Sequence, residues 1–241
     1  MINNKIILFS SLSELTSRIV GELEHCIQSS HLGTCKVALS GGSTPKAIFS
    51  EIAKVYSDSI NWRGLEFFWA DERCVPESSP ESNHGEAKRL LFNYVNSPIY
   101  PINGETNPAA EALRYSRLLA DKLPINNGYP TFNLILLGLG TDGHTASIFP
   151  NQLHLLDVAE PCAVAVHPAR GQERITLTGL TLLNAKKIIF IATGDNKRGI
   201  LAEVLGQRGG YRNYPAWHIS SAHANCLWFL DQEAGGFALP S

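Results

Sequence analysis

The chain has 241 residues, 44% of them hydrophobic, with a formal charge of −2 and a pI near 6.4. That length and apolar fraction can bury a sizeable core, while the absence of any Lys/Arg block leaves no footprint for nucleic acid. No stretch approaches the roughly 18 apolar residues of a membrane span, and "MINNKIILFSS" lacks the basic start and long apolar run of a secretory signal, so the expectation is a cytoplasmic protein with no nucleic-acid or membrane partner.

Taken along the chain, "KIILF" (5–9) reads as a strand, and 12–27 as a helix because Leu12, Leu15, Ile19, Leu23, Cys26 and Ile27 share one stripe. "KVALS" (36–40) is a second strand. Segment 45–56 follows as a helix, with Pro45 at its first position and Ile48, Phe49, Ile52, Val55 and Tyr56 on its apolar face. After the strand "LEFFWA" (65–70) comes helical segment 83–95, where Asn83 and Glu86 have the spacing of a capping box. Segment 106–122 is helical and "PINNGYP" (124–130) is a surface loop. Strands then recur at 132–139, 162–167, 174–178, 187–193 and 226–230, with a helix at 196–206 and a loose tail in "EAGGFALPS". Several of these runs are apolar on both faces, as strands covered by helices on both sides are. Their alternation with helices predicts one α/β domain over 1–241, a doubly wound and mostly parallel sheet flanked by helices. Cys26, Cys35, Cys74, Cys162 and Cys226 are odd in number and widely spaced without CxxC, which argues against a disulfide framework or zinc ribbon and for small core residues.

Open parallel sheets bind ligands beyond the carboxyl ends of their strands, and four polar clusters fall there. In "VALSGGSTPKAIF" a strand ends at Ser40, and Gly41, Gly42, Ser43 and Thr44 lead into a helix. Close backbone approach, unpaired N–H groups and a positive dipole end make this a phosphate cradle. A plain turn with Thr44 as N-cap is the alternative, and neither GxxxxGK[ST] nor GxGxxG is present. "FFWADERCVP" ends an aromatic strand in Asp71, Glu72 and Arg73, the arginine offering a fork of donors for an anion. "LILLGLGTDGHTASIFP" sets Asp142 and His144 in a glycine-bounded turn, where an imidazole can project into a pocket and titrate near neutrality. As a metal site, DxH supplies two ligands at most. Arg174 opens a later strand, and Lys197, just beyond 187–193, can bring a point charge to the same anion.

SGGSTP, DERxVP with Ser82–Asn83, GLGxDGHTAS, RITLT with Leu183–Asn184, and TGxxK occur in this order over nearly the whole chain. Together they resemble the 6-phosphogluconolactonase family. The resemblance implies a Rossmann-like sandwich shared with glucosamine-6-phosphate deaminase, no metal or other cofactor, and hydrolysis of 6-phospho-D-glucono-1,5-lactone in the pentose phosphate pathway. It implies a small-molecule sugar-phosphate lactone as partner, in a monomer or small homo-oligomer. It puts the phosphate on Ser40–Thr44 with Arg174 and Lys197, the general base at His144, and an arginine near the lactone at Arg73. Either Asp71 or Asp142 would hold the imidazole. Where the family has a Pro-Lys-Pro-Pro-like stretch this chain reads "HPARGQERIT", so Arg170 either replaces that lysine or decorates a loop. The deaminases are similar at the phosphate loop and the DGH turn but carry a tyrosine and a glutamate where this chain has Arg73 and Phe149. A deaminase-like isomerase and a non-catalytic sugar-phosphate sensor are the alternatives.

Overall fold

The computed structural model describes residues 5–30 and 33–236. In chain order they form β1 (Lys5–Phe9), α1 (Leu12–Ser29), β2 (Cys35–Leu39), α2 (Ser43–Val55), β3 (Leu65–Trp69) and β4 (Asp71–Arg73). Next come α3 (Asn83–Ala87), β5 (Ile99–Tyr100), α4 (Pro108–Lys122), the short pair β6 (Ile125–Asn126) and β7 (Tyr129–Pro130), and β8 (Leu134–Gly138). The chain continues through β9 (Cys162–Val166), β10 (Glu173–Leu177), α5 (Gly179–Leu183), β11 (Ile188–Ala192), α6 (Arg198–Gly206), α7 (Pro215–Ala222), β12 (Cys226–Asp231) and α8 (Gln232–Gly235).

Seven strands make one sheet in the order β1-β12-β11-β8-β2-β3-β5, and every pairing in it is parallel. From β2 the chain winds outward through β3 to β5, and from β8 it winds the other way through β11 and β12. The direction of winding therefore changes between β2 and β8, where such sheets open a crevice. Both faces are covered. Phe190 and Trp228, neighbours on β11 and β12, stack at 4.2 Å and are fully buried, and Leu15, Ile19 and Leu23 of α1 pack into the same core.

Segments 162–167 and 174–178 are strands, but of a second sheet. β9 and β10 pair antiparallel, and β10 pairs antiparallel with β4, in the order β4-β10-β9. A parallel partner needs a crossover of a dozen or more residues, and the connection between these strands spans only 167–172. The small sheet grows from the large one where β3 runs into β4, since Leu177 donates its N–H to Ala70 O at 2.8 Å.

Local chemistry departs from the sequence reading at several places. Ser82, not Asn83, caps α3, its Oγ accepting from Gly85 N at 3.0 Å, while Glu86 turns to Arg89 and Lys46. Only Asn83–Ala87 is α-helical before a wider turn over Lys88–Phe92. Gly42 caps α2 with no side-chain bond, and Val55 at that helix's end is exposed. Helix α7 carries no sequence expectation, and the supposed loop at 124–130 holds the β6–β7 pair. Cys26 and Cys35, on α1 and β2, are joined as a disulfide with Cα atoms 5.8 Å apart, so the cysteines are not all free. The expected loose tail, 233–241, begins inside the helical turn Gln232–Gly235, and 237–241 lie outside the described residues.

Candidate active site

The ends of β2, β8 and β11, together with β4 and β10, enclose a cavity of about 170 Å³. Ser40, Gly41, Gly42, Ser43, Thr44, Asp71, Arg73, His144, Arg174 and Lys197 all line it. Of the catalytic and phosphate-binding candidates, Asp142 alone does not, and it reaches the cavity through His144, while Glu72 and Arg170 also lie outside the lining.

Beyond β2 the Ser40–Thr44 loop opens α2. With glycine at the N-cap, no side chain occupies the first-turn N–H groups, which is the condition for an anion to use them. Ser40 is buried and its Oγ has no partner among the described residues. Thr44 hydrogen-bonds Thr193 at 2.6 Å across to the end of β11. A Cβ at Gly41 would collide with the Asn83 amide, and Asn83 Nδ2 donates to Asp71 O at 2.9 Å. Asn83 thus ties the loop to β4, a role visible beforehand only as part of a quoted motif. Lys197 closes the turn Asp195–Lys197 ahead of α6. Burial lowers its proton affinity, and the charge of Asp142 opposes that.

After β8 the chain folds back on itself. Asp142 Oδ1 lies 2.5 Å from His144 Nδ1 and accepts from His144 N at 3.2 Å. Gly140 N donates to His144 O at 2.8 Å, and any side chain at Gly140 would strike both the imidazole and the carboxylate. Burial by itself would raise the Asp142 carboxyl, but the hydrogen bond and charge of His144 outweigh it and hold it at about 2. A carboxylate at Nδ1 selects, for the neutral ring, the tautomer with its proton there and the Nε2 lone pair free. Buried Phe149 lies 4.8 Å from the His144 ring and 5.5 Å from the Arg174 guanidinium. From the far side Tyr214 packs on Gly143, and Ala216 N donates to Gly143 O at 3.2 Å. These α7 braces have no polar signature, so nothing in the sequence flagged them.

Asp71 does not touch His144. Its Oδ2 accepts from Ser147 Oγ at 2.7 Å, and Arg174 Nη1 reaches the same Oγ at 3.4 Å. Of the two acids left open by the sequence, Asp142 is therefore the one at the imidazole. Glu72 is a further functional neighbour that the sequence reading did not assign. It is 1% exposed and accepts from the N–H groups of Arg73, Asn83 and His84, each at 2.7 Å. Burial pushes its carboxyl up to about 7 against the pull of those donors. Arg170 stays outside the cavity and pairs with Glu81 at 3.0 Å. Among the described residues no group of three His, Cys, Asp or Glu is placed to hold a metal ion, and no helix is long and apolar enough to cross a membrane.

Residues 10–228 match the family described as glucosamine-6-phosphate isomerases/6-phosphogluconolactonase. The chain is similar to a 6-phosphogluconolactonase of Haemophilus influenzae, at 42% identity over 202 residues covering 82% of this chain and 85% of that one. It is similar to another from Aggregatibacter actinomycetemcomitans, at 38% identity over 95% of this chain and 97% of that one. Among solved structures, the 6-phosphogluconolactonase of Trypanosoma brucei superimposes with a TM-score of 0.85 at 27% identity, covering 99% of this chain and 100% of that one.

Proposed function

The chain belongs to the glucosamine-6-phosphate isomerase/6-phosphogluconolactonase family, and from that premise we propose that it hydrolyses 6-phospho-D-glucono-1,5-lactone to 6-phospho-D-gluconate, as a step of the pentose phosphate pathway. One observation carries this reading: an anion loop, a carboxylate-bound imidazole and an arginine line a single cavity.

The chemistry follows from those groups. The 6-phosphate sits on the Ser40–Thr44 loop with Arg174 and Lys197, and because it is remote from the reacting carbon its binding energy goes into orientation. Nε2 of His144 takes a proton from water as the water oxygen bonds to C1. Charge moves to the carbonyl oxygen, and Arg73 stabilises that oxyanion. When the tetrahedral intermediate collapses, the bond from C1 to the ring oxygen breaks. The departing oxygen takes the proton from Nε2 and becomes the C5 hydroxyl, and the new carboxylic acid loses its own proton to solvent. Asp142 keeps the tautomer and stabilises the imidazolium formed in between. No serine nucleophile is needed, since GxSxG is absent and Ser147 is bound to Asp71.

The deciding experiment generates the lactone in place from glucose 6-phosphate and its dehydrogenase and follows 6-phosphogluconate against the spontaneous opening. A rate no faster than the background would overturn the assignment. The family also includes isomerases that act on glucosamine 6-phosphate, and Phe149, buried against His144, argues against that chemistry because it cannot relay a proton. Ammonium release from glucosamine 6-phosphate tests that alternative directly, and none is expected.

A further inference from the structure

Two segments meet beside Arg73, outside the cavity lining: the loop 74–82 between β4 and α3, and the β9–β10 connection 167–172. Glu81 joins them. Its carboxylate accepts from Arg170 Nη1 at 3.0 Å and from Gln172 Nε2 at 2.9 Å. Its main-chain carbonyl accepts from Arg73 Nη1 at 2.6 Å. That carbonyl is the only hydrogen-bond partner of the Arg73 guanidinium among the described residues, and Arg73 Nε is buried without one.

We propose that Arg170 and Gln172 are positioning residues that hold the Glu81 carboxylate away from Arg73, so that Glu81 offers the arginine its carbonyl and not its charge. The inference rests on Arg73 acting as the oxyanion donor. A guanidinium paired with a carboxylate is well ordered but largely neutralised, whereas a carbonyl orders it and leaves its field free for the developing negative charge. Glu81 carries both groups on one residue, and its carbonyl already lies against the guanidinium. Without a competing partner the free carboxylate is within one side chain's length of the same cation. Arg170 and Gln172 supply that competition from the β9–β10 connection. A resting place on the protein surface is not needed for stability: Arg170 and Glu81 side chains are 63% and 45% exposed, and exposed pairs of this kind contribute little to folding.

The test is epistatic and uses the whole chain with the in situ lactone assay. Arg170→Ala with Gln172→Ala frees the carboxylate, and kcat falls by up to about 100-fold, the scale of losing one oxyanion donor. KM for the lactone stays unchanged, because Lys197 and the Ser40–Thr44 loop are untouched. Glu81→Gln alone keeps near-normal kcat, since an amide cannot neutralise Arg73. Adding Glu81→Gln to the double variant restores kcat, which repair of a merely structural defect by removing a third contact would not do. Raising salt, which screens exposed charges, partly restores kcat of the double variant and leaves kcat of the parent protein unmoved. A double variant with normal kcat, or a loss that Glu81→Gln does not reverse, overturns the proposal. Arg73→Ala separates the two levels: undiminished kcat there sinks the oxyanion reading itself, while a large loss there beside a normal double variant sinks only this inference.

Discussion

Arg73 and Arg174 are direct partners across the β4–β10 ladder, so both side chains leave the same face of the small sheet and meet at one cavity. Like charges directly opposite on neighbouring strands destabilise a sheet. Burial first, and then the charge of Arg73, lowers the proton affinity of the Arg174 guanidinium. A bound dianion relieves this repulsion. Inorganic phosphate at constant ionic strength is therefore expected to raise the melting temperature, reaching about 2.7 kcal/mol of stabilisation at a hundred times its Kd. Arg174→Ala and Lys197→Ala lose most of that rise, and an equal rise in all three proteins would count against a phosphate grip here.

Replacing His144 separates chemistry from binding. His144→Ala removes the proposed general base, and a loss of about 10²–10⁴ in kcat is expected, with KM nearly unchanged. Asp142→Asn keeps the shape but presents an amide to Nδ1, and lowers kcat through the wrong tautomer. Steady-state kinetics on both variants checks this, and near-normal turnover in His144→Ala would remove the imidazole from the mechanism.

As a proposed phosphate ligand, Lys197 is expected to give the substrate affinity an alkaline limit. Burial lowers its proton affinity below that of an ordinary lysine, so rising pH discharges it early. KM is expected to climb on the alkaline side while kcat holds. In Lys197→Arg, whose guanidinium stays charged throughout, the climb disappears. A KM profile identical in the two proteins would show that this ammonium does not grip the phosphate.

Glu72 makes the fold itself sensitive to pH. Its carboxyl titrates at about 7 in the folded chain, above the ordinary 4.5. A group whose folded value is raised contributes stability that is complete below its unfolded value and lost as pH climbs through the folded one. The urea midpoint is expected to fall between about pH 5 and about pH 8, and to fall less in Glu72→Gln, which cannot ionise. A flat midpoint in the parent protein over that window would contradict the shift.

Much of this was legible beforehand, for reasons visible in particular residues. The apolar runs at 5–9, 36–40, 65–70, 132–139, 187–193 and 226–230 are all strands of the parallel sheet, and in all but the edge strand β1 burial on both faces leaves an unmistakable pattern. Nearly every singled-out polar residue lines one cavity because each stands at a strand's end. Less legible is the partnership of 162–167 and 174–178, where strand identity is plain but only the short connection demands an antiparallel turn. Glu72 sat in full view as part of "DER", yet its work is done through three main-chain N–H groups that no side-chain motif announces. The hold of Glu81 on Arg73 is likewise a main-chain contact between residues eight apart in sequence, and the choice of Asp142 over Asp71 depended on geometry alone.

The seven-stranded sheet and the cavity at its carboxyl edge divide the labour of the chain. Phe190, Trp228 and their neighbours keep it standing, while much of the cavity is lined by connections, at 40–44, 139–146 and 197, that can lengthen or exchange residues without repacking that interior. Descent with changed chemistry is open to such a molecule: a new reaction can be sampled in those loops while the architecture beneath is inherited intact.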